Sequence, residues 1–290
     1  FVNSSNQLFD IFTKSLRGPQ IQGKDELLLA VGALCTSCHK AISAEGSSPP
    51  IAILNLVSSA CTRKGKKYRE AALSSLEQVI KALGNPEFFN MVFPLLFDLC
   101  NSEPLKSGQA PLVSDAAESE LANVEEISVP HNKIVDCLTS CIHVAHINDI
   151  LEKQKSLMQM YTAFLLPEHK WTVKTTAFLS IKELCSRLHN VVKDSQGSHE
   201  HAGVTSFVQE IFHSLSPKIL HCISTIKIAQ VHVSASECLV EIMKLAMDVP
   251  LVGTINEEFK DELLHQYEIE KNEGAKSILR KCVKILQDWK

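Results

Sequence analysis

The chain has 290 residues and a formal net charge of −4. Hydrophobic residues make up 45% of it and aromatics only 6%, which permits a large aliphatic core and disfavours a β-sandwich, whose strands draw on aromatic and β-branched side chains. The mild negative charge argues against nucleic acid as a partner, and no apolar run reaches the ~18 residues of a membrane span.

Ten cysteines are dispersed along the sequence, nearly all inside apolar helical patterns. Free cysteine packs as a small hydrophobe. Dispersed thiols without loop-rich spacing fit a reducing compartment, cytosol or nucleus, better than a secreted disulfide scaffold. The sequence begins at Phe1 without a methionine, and a fragment of a longer chain is expected.

The apolar period is helical almost throughout, and the helices come in pairs. The first pair, within residues 1–45, is "SSNQLFDIFTKSL" and "DELLLAVGALCTSCHKAI". The second of these contains Cys35, Cys38 and His39 in the C-x-x-C-H spacing of covalent haem attachment. That chemistry needs two thiols, an iron-ligating His, a second axial ligand and a pocket. Here the string lies inside an amphipathic helix, and the spacing assigns Cys38 to its core face, so no haem is expected.

The second pair, within 46–84, is "PPIAILNLVSSAC" and "YREAALSSLEQVIKAL", with Ala72, Leu73, Leu76, Val79 and Ile80 on one face. The turn between them reads "RKGKKYR". Its Arg63, Lys64, Lys66, Lys67 and Arg69 form a candidate contact for an acidic partner surface.

The third pair, within 85–147, begins with "PEFFNMVFPLLFDLC", where Pro94 is expected to kink the helix. An acidic stretch rich in Pro, Gly and Ser follows over 102–129 and is expected to be a mobile loop. The partner helix carries Cys137, Cys141, His143 and nearby His146. A structural zinc site needs four convergent ligands, and His143 leaves the helix on a different face from the two cysteines. No metal site is assigned.

In the fourth pair, within 148–193, "INDILEKQKSLMQMYTAFLL" reads as one helix and Pro167 marks the turn. Trp171 and Lys174 open the next helix and are candidate partner contacts, an exposed Trp beside basic residues being a typical hot spot. The polar stretch 193–203, with "HEH" at 199–201, reads as a solvated loop. The fifth pair, within 201–248, has Pro217 inside its first helix. The sixth lies within 254–290.

The second helices repeat. Small or apolar anchors at Ala30, Ala72, Ile134, Ala177, Ala235 and Ala275 are followed by apolar residues near +1, +4, +7, +8 and +11. Three of the five intervals fall within the ~40–47 residues of HEAT and armadillo units. The two longer ones contain the loop-like stretches 102–129 and 193–203. The expected fold is therefore all-α, an α-solenoid of about six HEAT/armadillo-like helical hairpins, in a single array over 1–290. No phosphate-binding loop, nucleophile elbow or paired carboxylates stand in a recognisable spacing. No catalytic residue, cofactor or small-molecule substrate is assigned.

Two stretches, "KGKKYREAALSSLEQVIKALGNPEFFNMVFPLL" and "HKWTVKTTAFLSIKELCSRL", resemble C-terminal HEAT units of the proteasome adaptors and scaffolds of the extracellular-mutant family. The resemblance spans essentially the whole chain. It implies a non-catalytic protein that binds the 26S proteasome, and it supplies no site residues. The competing expectation is a nuclear-transport or trafficking HEAT protein. Such a receptor would be more strongly acidic on its inner face, whereas the second helices here carry Lys66, Lys67, Lys81, Lys174, Lys182, Arg187 and Lys244.

Overall fold

Thirteen α-helices make up the secondary structure of the described residues, 2–17, 23–44, 48–63, 65–101, 130–194, 199–249 and 256–289 of a computed structural model. The chain divides into two units, Phe1–Ala145 and His146–Lys290. Unit 1 holds α1 (Val2–Arg17), α2 (Lys24–Ala44), α3 (Ser48–Cys61), α4 (Lys66–Leu83), α5 (Phe88–Asn101) and α6 (His131–Val144). Unit 2 holds α7 (Ile147–Glu152), α8 (Gln154–Phe164), α9 (Trp171–Asp194), α10 (His199–Thr225), α11 (Ala229–Met247), α12 (Glu257–Ile269) and α13 (Glu273–Asp288). With α7 and α8 taken together, these are six hairpins, three in each unit. The fold is all-α and of the armadillo-like solenoid class. The acidic stretch 102–129 lies outside the described residues.

In unit 1 the second helix of each hairpin packs against the next, α2 on α4 and α4 on α6. Ala72, Leu73, Leu76, Val79 and Ile80 are fully or almost fully buried on α4, and Ile134, Val135, Leu138, Cys141 and Ile142 are buried on α6. These are the faces the helical period assigns. Full burial of one such side chain contributes about 1.5–3 kcal/mol, so these seams outweigh any single polar contact.

The first hairpin departs from the expected register by one residue. Ala30 is exposed, while Leu28, Val31 and Cys35 are fully buried and Ile42 nearly so. The anchor is Val31, which puts Gly32 at +1 and Cys35 at +4. Cys38, expected in the core, is half-buried. It sits where the helix breaks, with φ −116° and ψ 16°. Gly32 lies on that packed face. A Cβ there would lie 3.2 Å from the Gln78 side-chain Cβ and would collide with the Gln78 amide. With glycine there, the Gln78 side chain lies directly against the α2 backbone.

Pro94 and Pro217 each lie within a continuous helix, Phe88–Asn101 and His199–Thr225. The break comes at Cys38 instead. A second departure is Lys153 (φ −99°, ψ 7°), which divides the expected fourth first-helix into α7 and α8. No Gly or Pro marks that position in the sequence. The stretch "HEH" belongs to the opening of α10 rather than to a loop.

In unit 2 the ladder is α9, α11 and α13. The buried Tyr161 hydroxyl and Ser180 hydroxyl bond at 2.9 Å, joining α8 to α9. Phe212 on α10 stacks near Phe259 and Trp289, with ring centroids 5.6 and 5.4 Å apart. Lys182 pairs with Glu237 at 2.7 Å between α9 and α11. That pair is part-exposed and contributes roughly 0.2–1 kcal/mol, less than one buried leucine.

The α12–α13 connection is organised by Glu270. Its carboxylate accepts from the Asn272 N–H at 2.8 Å and meets the His232 ring at 2.8 Å. The other His232 nitrogen lies 2.5 Å from the Ile226 carbonyl. Asn272 then caps α13 by accepting from the Ala275 N–H at 2.9 Å. Burial pushes the Glu270 carboxyl upward, but the Asn272 N–H and His232 outweigh it, and it titrates below its usual value of 4.5. A depressed folded value means stabilisation that is present above the unfolded value and lost as pH falls through the folded one. Urea unfolding between pH 6 and pH 3 (roughly that span, to bracket the usual carboxyl range) is expected to show this loss, and Glu270→Gln to flatten that part of the acid limb.

Gly32→Ala is expected to lower the melting temperature although alanine favours helices. Gly203→Ala is the matched control. Gly203 is exposed on α10, and a Cβ there would meet Leu151 Cδ1 at an ordinary 3.7 Å. That substitution should stabilise by ~0.5–1 kcal/mol. Chemical denaturation of both variants checks the opposite signs.

Candidate interaction surface

The turn between α3 and α4 is fixed by local bonds. The Arg63 N–H donates to the Ala60 carbonyl at 3.2 Å and the Arg69 N–H to the Gly65 carbonyl at 3.0 Å. Gly65 has φ 108°, a backbone state that a side chain would strain. The five cations of "RKGKKYR" do not form one patch. Arg63 is exposed and Lys66 half-buried. Lys67 is exposed, and its ammonium pairs with Asp25 at 2.7 Å. That contact holds the Asp25 carboxyl below the usual carboxylate range. Lys64 lies outside the described residues. Arg69 is buried at 8% exposure, which removes it from the candidate contacts.

On α9, Trp171 is 41% exposed at the helix start. Lys174 is not at the surface. It is 3% exposed, and its ammonium donates to the Leu165 carbonyl at 3.1 Å and to the Leu166 carbonyl. It closes the C-terminal end of α8, where carbonyls have no partner within the helix. Burial pulls its ammonium below the usual lysine range. It therefore acts as an internal clip, and its place as a partner contact is withdrawn.

Eight of the ten cysteines, all but Cys38 and Cys100, are buried packing residues. Burial pushes Cys35, Cys61 and Cys282 up to about 12. The Cys137 thiol donates to the Leu73 carbonyl at 3.0 Å, across the α4–α6 seam. Among the described residues, no group of three or more His, Cys, Asp or Glu side chains stands close enough to hold a metal ion, and no helix is long and apolar enough to cross a membrane.

A groove that sequence reasoning missed lies beside the same turn in unit 1. It encloses about 440 Å³ between the end of α1, the outer face of α3 and the start of α4. Leu16, Leu56 and Tyr68 supply its apolar lining, and Arg17 and Arg63 its charge. The Lys24 ammonium holds the Leu16 carbonyl at 3.1 Å just behind it. Arg63 was legible from the charge run. Arg17 and the apolar lining were not, because they come from helices far apart in sequence.

A family model described as "ECM29, C-terminal ARM-like repeats" matches residues 61–285. The chain belongs to that family. Its ARM-like repeats are of a scaffold type that binds other proteins through helix faces and turns. No curated protein matches the chain. Among solved structures, an engineered protein is 11% identical, with a TM-score of 0.54 over 96% of this chain and 95% of its own. A designed armadillo repeat protein, YIII(Dq)4CqI, is 12% identical, with a TM-score of 0.51 over 95% and 98%. At such identities the likeness concerns the fold. Most of the groove's lining precedes residue 61, where the ARM-like match begins.

Lys174→Met is expected to destabilise the chain by about 1–3 kcal/mol, because it keeps the stem but takes the ammonium from the Leu165 carbonyl and leaves the Leu166 carbonyl with the His169 N–H alone. Trp171→Ala should change stability by less than half as much. Equilibrium denaturation of the two variants separates clip from surface residue.

Proposed function

We propose that this chain is a non-catalytic interaction region that binds 26S proteasome subunits, in the cytoplasm or the nucleus. The observation that carries the reading is the ECM29 C-terminal ARM-like match over 61–285, together with the resemblance of "YREAALSSLEQVIKAL" and "WTVKTTAFLSIKELC" to units of proteasome adaptors. The reading requires no cofactor and no small-molecule substrate. Its candidate contacts are the residues left at the surface: Arg63, Lys66 and Lys67 at the α3–α4 turn, and Trp171 at the start of α9.

The second helices carry paired rather than single-sign charge, as in Lys81–Glu77, Lys182–Glu237 and Lys244–Glu241. A transport receptor's acidic inner face is therefore the less favoured alternative. Affinity capture with the purified chain from cytosol, quantified by mass spectrometry, tests the proposal. Proteasome subunits should be enriched over capture by a designed armadillo protein of similar charge. Equal recovery by the two baits removes the proteasome as partner and leaves the fold untouched.

A further inference from the structure

The groove between α1, α3 and the start of α4 joins Arg63, one of the candidate contacts named above, to Arg17. Its two guanidinium groups, Arg17 and Arg63, are exposed and have no ion-pair partner among the described residues. Two cations further along α4 do have one: Lys67 is met by Asp25 and Lys81 by Glu77. Among the described residues, no carboxylate lines the groove. In a chain whose net charge is −4, this is a local excess of positive charge over a lining in which Leu56 and Tyr68 stand beside the neutral polar Asn55 and Ser59.

We propose that this groove takes an acidic peptide segment with an apolar anchor, supplied by a partner protein. This rests on the reading of the chain as a protein-binding scaffold and names the chemistry of one of its partners. The argument is one of complementarity. Leu56 and Tyr68, both part-exposed over the buried Leu16, offer a surface on which a leucine or phenylalanine side chain leaves water. Arg17 and Arg63 stand where carboxylates flanking that anchor would fall, and Arg and Tyr are the residue types that dominate binding at interface centres. The Arg63 charge is close enough to Tyr68 to oppose the upward push that burial gives its hydroxyl, so cation and apolar lining act at one place. A volume of about 440 Å³ lies within the ~300–1,000 Å³ of ordinary binding clefts and suits a few side chains rather than a folded domain. A nucleic-acid strand is disfavoured, since it calls for a continuous basic track with stacking aromatics, and a free anion would leave the apolar part unused.

The test uses the whole purified chain and fluorescence anisotropy. The probe is a short labelled peptide alternating glutamate with leucine. One comparison peptide replaces its glutamates by lysine, another its leucines by serine. The glutamate–leucine peptide should bind, more weakly as salt rises, and each comparison peptide should bind at least ~10-fold more weakly. The double variant Arg17→Glu, Arg63→Glu should lose ~10-fold or more in affinity with an unchanged melting temperature. Lys218→Glu, an exposed charge reversal on α10, should lose nothing. Equal binding of the serine peptide reduces the site to anion attraction and overturns the apolar anchor. Binding unaffected by the double variant overturns the site. A rise in affinity on deleting residues 102–129 shows that the chain's own acidic stretch competes for the groove, and overturns its assignment to a partner. The peptide assay contains no proteasome, so the groove and the proteasome reading fail or stand separately.

Discussion

A helical hairpin has two apolar faces to hide and can cover only one with its own partner helix. The second face must be covered by the next hairpin, and everything else in this protein follows from how closely that neighbour can approach. In unit 1 α2 and α4 approach closely at Gly32, where the α2 backbone comes against the Gln78 side chain of α4. In unit 2 the same lateral seam runs through α9, α11 and α13, with Ala177, Ala235 and Ala275 fully buried along it. Buried alanines at the anchors of α4, α9, α11 and α13, and Gly32 one residue past the α2 anchor, help set the spacing of the second helices. The spacing sets which faces remain outside, and those faces and the turns between helices carry whatever binding the chain does.

Much of this was legible in the sequence. Five of the six second helices sit in the register their apolar period assigns, because each buries a full stripe and a shift of one residue would expose it. The first failed for a specific reason. Ala30 imitates the small anchor of the other units, but the small residue on the packed face is Gly32, and glycine carries no signal in a pattern of apolar side chains. The same shift changes the meaning of Cys35-x-x-Cys38-His39. One thiol is core, the other lies at a helix break, and the imidazole is at the surface. The break at Lys153 and the early start of α10 were illegible because no Gly or Pro marks the first, and the second begins in polar residues.

The surface was less legible than the core. A run of cations reads as one patch only if every side chain points outward, and here the run is divided. Lys67 is held by Asp25 from another helix, Arg69 lies inside, and Arg63 borders a groove built largely by α1 and α3. Lys174 shows the same limit. Its charge, read as an offer to a partner, satisfies the carbonyl end of the preceding helix. Burial of a charged residue depends on elements distant in sequence, and local pattern does not contain them. The apolar lining under Arg63 is the converse case, since Leu16, Leu56 and Tyr68 become neighbours only when three helices meet.

The cysteines give the chain a property unrelated to binding. Every one of the six hairpins carries at least one, and most are shut inside with protonated thiols that neither oxidants nor alkylating agents reach. A hairpin that parts from its neighbour, under tension or during handling by an unfolding machine, would uncover its own thiol at a known place in the chain. The array is thus pre-labelled with chemical gauges of local opening, distributed hairpin by hairpin. Their order of reaction would map which seam yields first.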